Sequence, residues 1–363
     1  MGTYKILLTP GDGIGPEIVR EAVKVLYAVS VRFGHSFEFG EEAVGGTSIR
    51  KYGVALRDEA VAKARESDAV LFGAVGDPEF DNPSMKERPE KAILGLRKAL
   101  GLYANLRPVK LFPQLAGSSP LRPERVAGTD FVVVRELTGG IYFGEPRGRT
   151  MTTDGERAFD TMVYTETEIR RVIELAFELA RNRRRRVTSV DKVNVLETSR
   201  LWRKVAIEVA AANPDIAISH MLVDSCAMQL VLNPCQFDVL VTENMFGDIL
   251  TDEAAVLTGS IGMMPSAGIG ARRADGTAFG LYEPIHGSAP DIAGKGLANP
   301  LGQILSTAMM LETSLGLVDE ARSVEAAVDA VLTEGLRTTD IAKNGEHAVS
   351  TSVMGDAVAG RVA

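Results

Sequence analysis

The feature that most constrains the fold is the alternation of short apolar runs with segments of helical periodicity. The runs are nearly continuous and rich in β-branched residues, which is typical of parallel strands buried on both faces. They lie at residues 5–9, 69–72, 130–135, 186–190 and 238–242. Helical patterns occur at residues 166–181, 199–212 and 321–334. Strands that alternate with helices along a chain predict the α/β class.

Length and composition narrow the class of protein. A chain of 363 residues with 45% hydrophobic and 24% charged residues is long enough for about two domains with large cores. This composition excludes a disordered chain, a collagen and a disulfide-stapled mini-domain. The net charge of −8 makes a nucleic-acid partner improbable, because phosphate binding needs a basic face.

Three further segments bear on the location of the protein. The two cysteines favour a reducing compartment, and the N-terminus lacks the features of a signal peptide. The longest uncharged stretch, residues 254–271, contains four glycines and a proline, so we expect a helix end plus loop rather than a membrane span. The arginine run at 181–186 is interpreted as the solvated end of a helix, with an anion or targeting patch as the alternative. We therefore expect a cytoplasmic protein without a membrane partner.

A glycine-rich turn follows the first predicted strand. The segment PGDGIGPE (10–17) places Pro16 and Glu17 where a helix favours proline and an acid. It is not the dinucleotide pattern G-x-G-x-x-G, because Pro16 occupies the position of the last glycine. The turn either faces an anion or cofactor or is only structural, and both interpretations stay open.

Three aspartates are candidate metal ligands. Asp248 and Asp252 are four residues apart, which places them on one face of a predicted helix, and Asp224 follows another strand-like run. Two like charges on one helical face destabilise it unless a cation neutralises them. Carboxylates without a His or Cys cluster favour Mg²⁺ or Mn²⁺ over zinc. A solvated acidic face is the alternative.

Five more side chains are candidates for catalysis or substrate binding. Lys192 follows a strand-like run and Tyr142 lies among glycines, where each side chain could transfer a proton. Arg97, Arg107 and Arg135 each follow apolar residues, and a partly buried arginine suits a bidentate substrate carboxylate. The alternatives are a surface lysine, a buried structural tyrosine and internal salt bridges.

Six stretches, in order along nearly the whole chain, together resemble the 3-isopropylmalate dehydrogenases of the β-hydroxyacid oxidative decarboxylase family. They are PGDGIGPE (10–17), LRKALGLYANLRP (96–108), VRELTGGIYFGEPRG (134–148), VDKVNVLE (190–197), ENMFGDILTDEAA (243–255) and HGSAPDIAGKGLANP (286–300). The resemblance implies a two-domain α/β fold of the isopropylmalate/isocitrate dehydrogenase type, not a Rossmann fold. Residues 1–102 and 259–363 would form the cofactor-side domain, and residues 103–258 the substrate, metal and dimerisation domain. It also implies a homodimer with shared active sites and a β arm near residues 141–165.

The resemblance assigns roles to the candidate residues. Arg97, Arg107 and Arg135 would bind the malate carboxylates. Tyr142 and Lys192 would transfer protons. Asp224, Asp248 and Asp252 would bind Mg²⁺ or Mn²⁺. Lys192 and the catalytic Asp224 would come from the neighbouring subunit.

The resemblance also implies NAD as cofactor. The residues that would bind it are Ile14, Gly76, Glu283, His286, Gly287, Ser288, Ala289, Asp291 and Asn299. Asp291 matches the carboxylate that binds the adenosine ribose hydroxyls. A carboxylate there repels a 2′-phosphate, so NAD is expected over NADP.

The residues before Arg97 indicate the substrate. Ile93, Leu94 and Val195 would form an apolar slot for an isopropyl group, and Glu90 would lie near the nicotinamide. An apolar slot leaves the third carboxylate of isocitrate unpaired. We therefore expect NAD-dependent oxidative decarboxylation of (2R,3S)-3-isopropylmalate to 4-methyl-2-oxopentanoate in leucine biosynthesis. The alternatives are a D-malate, tartrate or other 3-alkylmalate decarboxylating dehydrogenase and a catalytically idle protein with the same fold.

Overall fold

Strands and helices alternate along the computed structural model, which describes residues 1–82, 85–343 and 345–362. The strands are β1 Thr3–Gly11, β2 Ser36–Glu41, β3 Ala69–Ala74, β4 Ala104–Lys110, β5 Asp130–Glu136, β6 Gly148–Thr152, β7 Gly155–Phe159, β8 Arg186–Asp191, β9 Ala217–Leu222, β10 Val239–Thr242, β11 Pro265–Arg272 and β12 Ala278–Pro284. The helices are α1 Gly15–Phe33, α2 Gly45–Tyr52, α3 Asp58–Glu66, α4 Lys91–Ala99, α5 Pro123–Val126, α6 Glu166–Arg181, α7 Glu197–Ala211, α8 Val223–Leu232, α9 Asn244–Ala255, α10 Leu301–Thr313, α11 Val318–Thr333 and α12 Thr351–Val362. The α/β class predicted from the sequence is confirmed.

The chain divides into two compact units. Unit 1 contains Met1–Leu102, Leu111–Pro120 and Thr258–Ala363, and unit 2 contains Tyr103–Lys110 and Leu121–Leu257. Residues 111–120 were expected in the middle domain, but they belong to unit 1. There Gln114 donates a hydrogen bond to Thr333 Oγ1 of α11 at 2.6 Å.

Unit 1 is built on five strands in the order β2-β1-β3-β12-β11. β1 pairs in parallel with β2 and β3, β12 is parallel to β3, and β11 is antiparallel to β12. Helix α1 buries Ile18, Ala22, Val25, Leu26 and Val29, which is the face its periodicity predicts. It ends where Gly34 takes the left-handed conformation that favours glycine.

Unit 2 is built on five strands in the order β4-β5-β10-β8-β9. β4 is antiparallel to β5, and the other neighbours are parallel. Their buried apolar residues explain why short continuous runs predicted β5, β8 and β10. The β6–β7 hairpin forms a separate two-stranded sheet with largely exposed side chains, within the range expected for the arm.

One expectation about a single segment is wrong. Residues 254–271 are not a helix end plus loop, because α9 and two 3₁₀ turns are followed by strand β11, whose residues 265–270 are buried. Pro265 is the first residue of that strand, a position that tolerates proline. The arginine run follows the end of α6 and is largely solvated as expected, although Arg183 is half-buried and pairs with Asp130 and with the buried Asp238. Among the described residues, no helix is long and apolar enough to cross a membrane.

Candidate active site

Five of the predicted site residues come together in unit 2, at the ends of β4, β5 and β10. Arg107 lies on β4 and Arg135 on β5, and both are almost fully buried, with 6% and 3% of their surface exposed. Asp248 and Asp252 lie on α9, which follows β10 directly. Tyr142 ends a 3₁₀ turn that follows β5.

Helix α9 starts at a side-chain cap. Glu243 accepts hydrogen bonds from the backbone N–H groups of Phe246 at 2.7 Å and Met245 at 3.1 Å. A carboxylate is favourable at a helix N-terminus, where the N–H groups have no partner within the helix. The cap fixes the start of the helix and thereby the direction in which Asp248 and Asp252 project.

The two aspartates of α9 meet arginines. Arg135 Nη1 donates to Asp248, and Arg107 lies 3.6 Å from both Asp248 and Asp252. The salt bridges considered as an alternative are therefore present within the chain. Burial raises the pKa of the Asp252 carboxyl, and the negative charge of Asp248 raises it further. The positive charges of Arg107 and Arg135 lower it.

Tyr142 completes this group. Its hydroxyl donates to Asp248 Oδ2 at 2.6 Å, and the Arg135 guanidinium lies 5.6 Å from the centre of its ring. Burial and the contact with Asp248 raise the pKa of the phenol, so the hydroxyl carries its proton at neutral pH. The turn requires glycine at Gly140, which has a φ of +75° and whose added Cβ would lie 2.4 Å from Tyr164 Oη.

Lys192 and Asp224 form a second group in unit 2. Lys192 follows β8, Asp224 lies in the first turn of α8, and Nζ is 2.8 Å from Oδ1. The hydrogen bond from Lys192 lowers the pKa of the Asp224 carboxyl. The backbone N–H of Lys192 donates to Ser199 Oγ at 3.0 Å, which holds the turn after β8.

The carboxylates of α9 fit a hard divalent cation only in part. Their oxygen donors suit Mg²⁺ or Mn²⁺. However, no three His, Cys, Asp or Glu residues of the described chain converge as a metal site. The structure therefore does not bring Asp224 to Asp248 and Asp252 within one chain.

The remaining predicted substrate residues are divided between the units. In unit 1, Arg97 on α4 pairs with Glu283 on β12 at 2.8 Å, and this pair is largely buried. Ile93 and Leu94 on the same helix are half-buried, while Glu90 at its N-cap lies 3.4 Å from Arg88. Val195 lies in unit 2, with 60% of its surface exposed.

The predicted cofactor residues lie in unit 1, around the first turn and the segment after β12. The backbone N–H of Ile14 donates to Ser288 O at 2.8 Å, and Ile14 packs against Ala289. Gly76 lies beside Ser288, because a Cβ added at Gly76 would lie 3.0 Å from its Oγ. Thus the segment PGDGIGPE meets the loop that contains most of the predicted cofactor residues.

The other predicted cofactor residues differ in how far their side chains are buried. His286 is bonded through Nδ1 to Gly287 O, and burial lowers its pKa, which favours the neutral ring. Asn299 caps α10 through the N–H of Leu301, whereas Asp291 is exposed.

Sequence reasoning missed several side chains that hold the site in place. Asp12 accepts hydrogen bonds from the backbone N–H groups of Gly46, Thr47 and Gly76 at 2.7–3.1 Å and so joins three loops. Its position between two glycines in a turn was the available signal. Asn244 lies within the motif ENMFGDILTDEAA (243–255), but the spacing of residues in this motif does not indicate that its side chain contacts Arg135 and Gly139.

Comparison with known proteins gives consistent matches. A family model described as isocitrate/isopropylmalate dehydrogenase matches residues 5–358. A protein named 3-isopropylmalate dehydrogenase from Anaeromyxobacter dehalogenans is 56% identical over 359 residues, covering 99% of both chains. One of the same name from Geobacillus kaustophilus is 56% identical, covering 98% of this chain and 94% of that one.

Solved structures also match over nearly the whole chain. An isocitrate dehydrogenase from Methylococcus capsulatus has a TM-score of 0.86 and 38% identity and covers 99% of both chains. A β-decarboxylating dehydrogenase from Thermococcus kodakarensis has a TM-score of 0.79 and 37% identity, covering 99% of this chain and 96% of that one.

Proposed function

The chain belongs to the isocitrate/isopropylmalate dehydrogenase family, and we propose that it catalyses the NAD-dependent oxidative decarboxylation of (2R,3S)-3-isopropylmalate. The products are 4-methyl-2-oxopentanoate, CO₂ and NADH, and the step belongs to leucine biosynthesis. The observation that carries the proposal is the group of Arg107, Arg135, Tyr142 and Asp248. It combines two buried cations for carboxylates with a protonated phenol beside a carboxylate.

The chain's own residues bind the substrate and move protons. Arg107 and Arg135 bind its carboxylates, since a buried guanidinium favours a bidentate anionic partner. Lys192 of the partner subunit, which lies 2.8 Å from Asp224 of its own chain, accepts the proton of the 2-hydroxyl. Tyr142 protonates C3 after the β-carboxylate has left as CO₂.

Two bound groups supply the remaining chemistry. Asp248 and Asp252, together with Asp224 of the partner subunit, would hold Mg²⁺ or Mn²⁺, which would supply a Lewis acid that lowers the pKa of the 2-hydroxyl. The predicted cofactor residues of unit 1 would hold NAD⁺, which would supply the acceptor for the hydride of C2. The exposed carboxylate of Asp291 hydrogen-bonds the ribose hydroxyls and repels a 2′-phosphate, which favours NAD over NADP.

We propose a homodimer with shared active sites. Apolar side chains on α8 and α9 and just beyond are exposed, and such a patch is typical of an interaction surface. They are Met228, Val231, Leu232, Ile249 and Val256. A second copy that covers this surface would also supply the third carboxylate that α9 lacks. A cytoplasmic location remains a prediction from the sequence.

Mixed dimers test the shared site. We expect Asp224→Asn and Asp248→Asn each to be inactive alone, because each removes a carboxylate from both sites. Subunits exchanged between the two variants should recover about a quarter of the wild-type activity, because one site of each mixed dimer is intact. No recovery despite measured subunit exchange would show that each site is built from one chain.

Parallel substrate assays test the reaction itself. NADH formation is measured with 3-isopropylmalate, D-malate and isocitrate, with Mg²⁺ or Mn²⁺, and with NADP⁺ in place of NAD⁺ as the control. We expect a strong preference for 3-isopropylmalate with NAD⁺. A preference for D-malate or isocitrate would leave the family unchanged and contradict the assignment of Ile93, Leu94 and Val195.

A further inference from the structure

We propose that Asn244 is a positioning residue for this reaction, because its amide joins Arg135 to the turn that contains Tyr142. The inference rests on the proposed function, which gives Arg135 and Tyr142 their roles. Asn244 itself does not need to touch the substrate. It acts by fixing the directions of two groups that do.

The side chain of Asn244 uses both ends of its amide. The residue is the first of α9 and has 1% of its surface exposed. Its Oδ1 accepts hydrogen bonds from Arg135 Nε at 3.0 Å and Nη2 at 2.8 Å, and its Nδ2 donates to Gly139 O at 3.3 Å. Its backbone N–H donates to Tyr164 Oη at 3.0 Å, so the main chain is fixed as well.

These bonds close a ring around the candidate site. From Gly139 the chain leads to Tyr142, whose hydroxyl donates to Asp248 at 2.6 Å. Asp248 in turn accepts from Arg135 Nη1, and Arg135 returns to Asn244. Asn244 holds the guanidinium and the backbone at the start of the turn, while Asp248 holds the guanidinium and the Tyr142 hydroxyl at its end.

The amide is not needed for the start of the helix. Glu243 already accepts from the free N–H groups of Met245 and Phe246, which is the usual role of a capping side chain. The side chain of Asn244 is therefore available for its contacts with Arg135 and Gly139. Because an amide is neutral, it orients Arg135 without cancelling the positive charge that binds a carboxylate.

The first test is Asn244→Ala in the full-length enzyme with metal. We expect the KM for the substrate to rise about 10- to 100-fold, the range for losing hydrogen bonds to a charged group. The KM for NAD⁺ should change little, whereas the thermal midpoint should fall by a few degrees, because Arg135 and the Gly139 carbonyl lose buried hydrogen bonds. The matched control is Asn213→Ala, because Asn213 Oδ1 also accepts from an arginine and its Nδ2 also donates to a carbonyl, at Val209. A substrate KM within about twofold of wild type, as in the control, would overturn the proposal.

A double-mutant cycle separates positioning from a general structural effect. In an Arg135→Lys background the amide has no guanidinium to orient. We therefore expect Asn244→Ala to change the substrate KM by less than about twofold in that background. Equal effects in both backgrounds would show that Asn244 does not act through Arg135.

A second variant keeps the test valid if Asn244→Ala does not fold. Asn244→Asp has the same shape, but its charge neutralises Arg135 and repels the Gly139 carbonyl, so we again expect the substrate KM to rise at least about tenfold. An unchanged KM in this folded variant would overturn the proposal. All ratios are taken with whichever substrate the wild type turns over. A preference of the wild type for D-malate therefore contradicts the proposed substrate alone. A substrate KM that is the same in the variant and the wild type contradicts the role of Asn244 alone.

Discussion

Replacing Tyr142 with phenylalanine should separate the two chemical steps of the reaction. The hydroxyl lies 2.6 Å from Asp248, and its raised pKa keeps it protonated at neutral pH. A positioned general acid contributes about 10²- to 10⁴-fold to its step, or about 3 to 5 kcal/mol. We expect Tyr142→Phe to slow formation of the decarboxylated product by a factor in this range.

Hydride transfer should be affected much less. It does not use the phenol proton, and Asp248 keeps its contacts with Arg135 and Arg107 in the variant. We therefore expect the rate of NADH formation to fall by less than about tenfold, which corresponds to about 1.4 kcal/mol.

Single-turnover experiments measure both steps in one sample. NADH absorbance follows hydride transfer, and quenched samples give the amounts of CO₂ and 4-methyl-2-oxopentanoate. Tyr27→Phe is a suitable control, because Tyr27 lies on α1 of unit 1 with 56% of its surface exposed. Equal slowing of NADH formation and 4-methyl-2-oxopentanoate formation in Tyr142→Phe would refute the role of this residue as the acid at C3.

Three further substitutions test other parts of the molecule. Lys192→Gln removes the cation 2.8 Å from Asp224, and we expect kcat for NADH formation to fall about 10²- to 10⁴-fold; an unchanged kcat would exclude proton transfer by Lys192. Asp291→Lys should raise the ratio of kcat/KM for NADP⁺ over NAD⁺ at least about tenfold, because it replaces repulsion of the 2′-phosphate by attraction. Glu42 is buried, which by itself raises its pKa, but the hydrogen bond from Lys63 and the charges beside it lower the pKa overall. Its contribution to stability is therefore present above the unfolded pKa of about 4.3 and is lost as the pH falls through the lower folded value. Glu42→Gln should lower the free energy of unfolding by about 1–3 kcal/mol at neutral pH and by less in acid, measured by urea denaturation; an equal difference at both pH values would contradict the pKa shift.

The sequence predicts best those helices and strands in which the same face is apolar and buried along the whole segment. Helix α6 lies at the predicted residues, because Thr165 and Glu168 form a capping box and one face is apolar throughout. Strand β11 was missed because Gly268 and Gly270 resemble loop residues in a sequence. In the structure both glycines lie in the buried part of β11.

The candidate site was predictable where function requires a charged residue in an apolar surrounding. Arg107, Arg135 and Asp248 stand out for this reason, and the structure brings them together. Asn244 does not stand out, because a neutral amide at a helix start has many ordinary explanations. The third carboxylate that α9 lacks illustrates another limit, since in the proposed dimer it comes from a partner subunit, which the geometry of one chain does not contain.

The division of unit 1 between the two ends of the chain has a consequence for synthesis on the ribosome. Most of unit 2 is continuous, at Leu121–Leu257, but β3 receives its neighbour β12 only after that segment has been made. Translation from the end of β3 to the start of β12, roughly two hundred residues, takes about 10 to 40 s at typical rates. During that interval the edge of β3, whose six residues are all buried in the finished protein, has no strand partner on the β12 side. The nascent protein is therefore expected to depend on chaperones that shield exposed strands more than a chain with contiguous domains does.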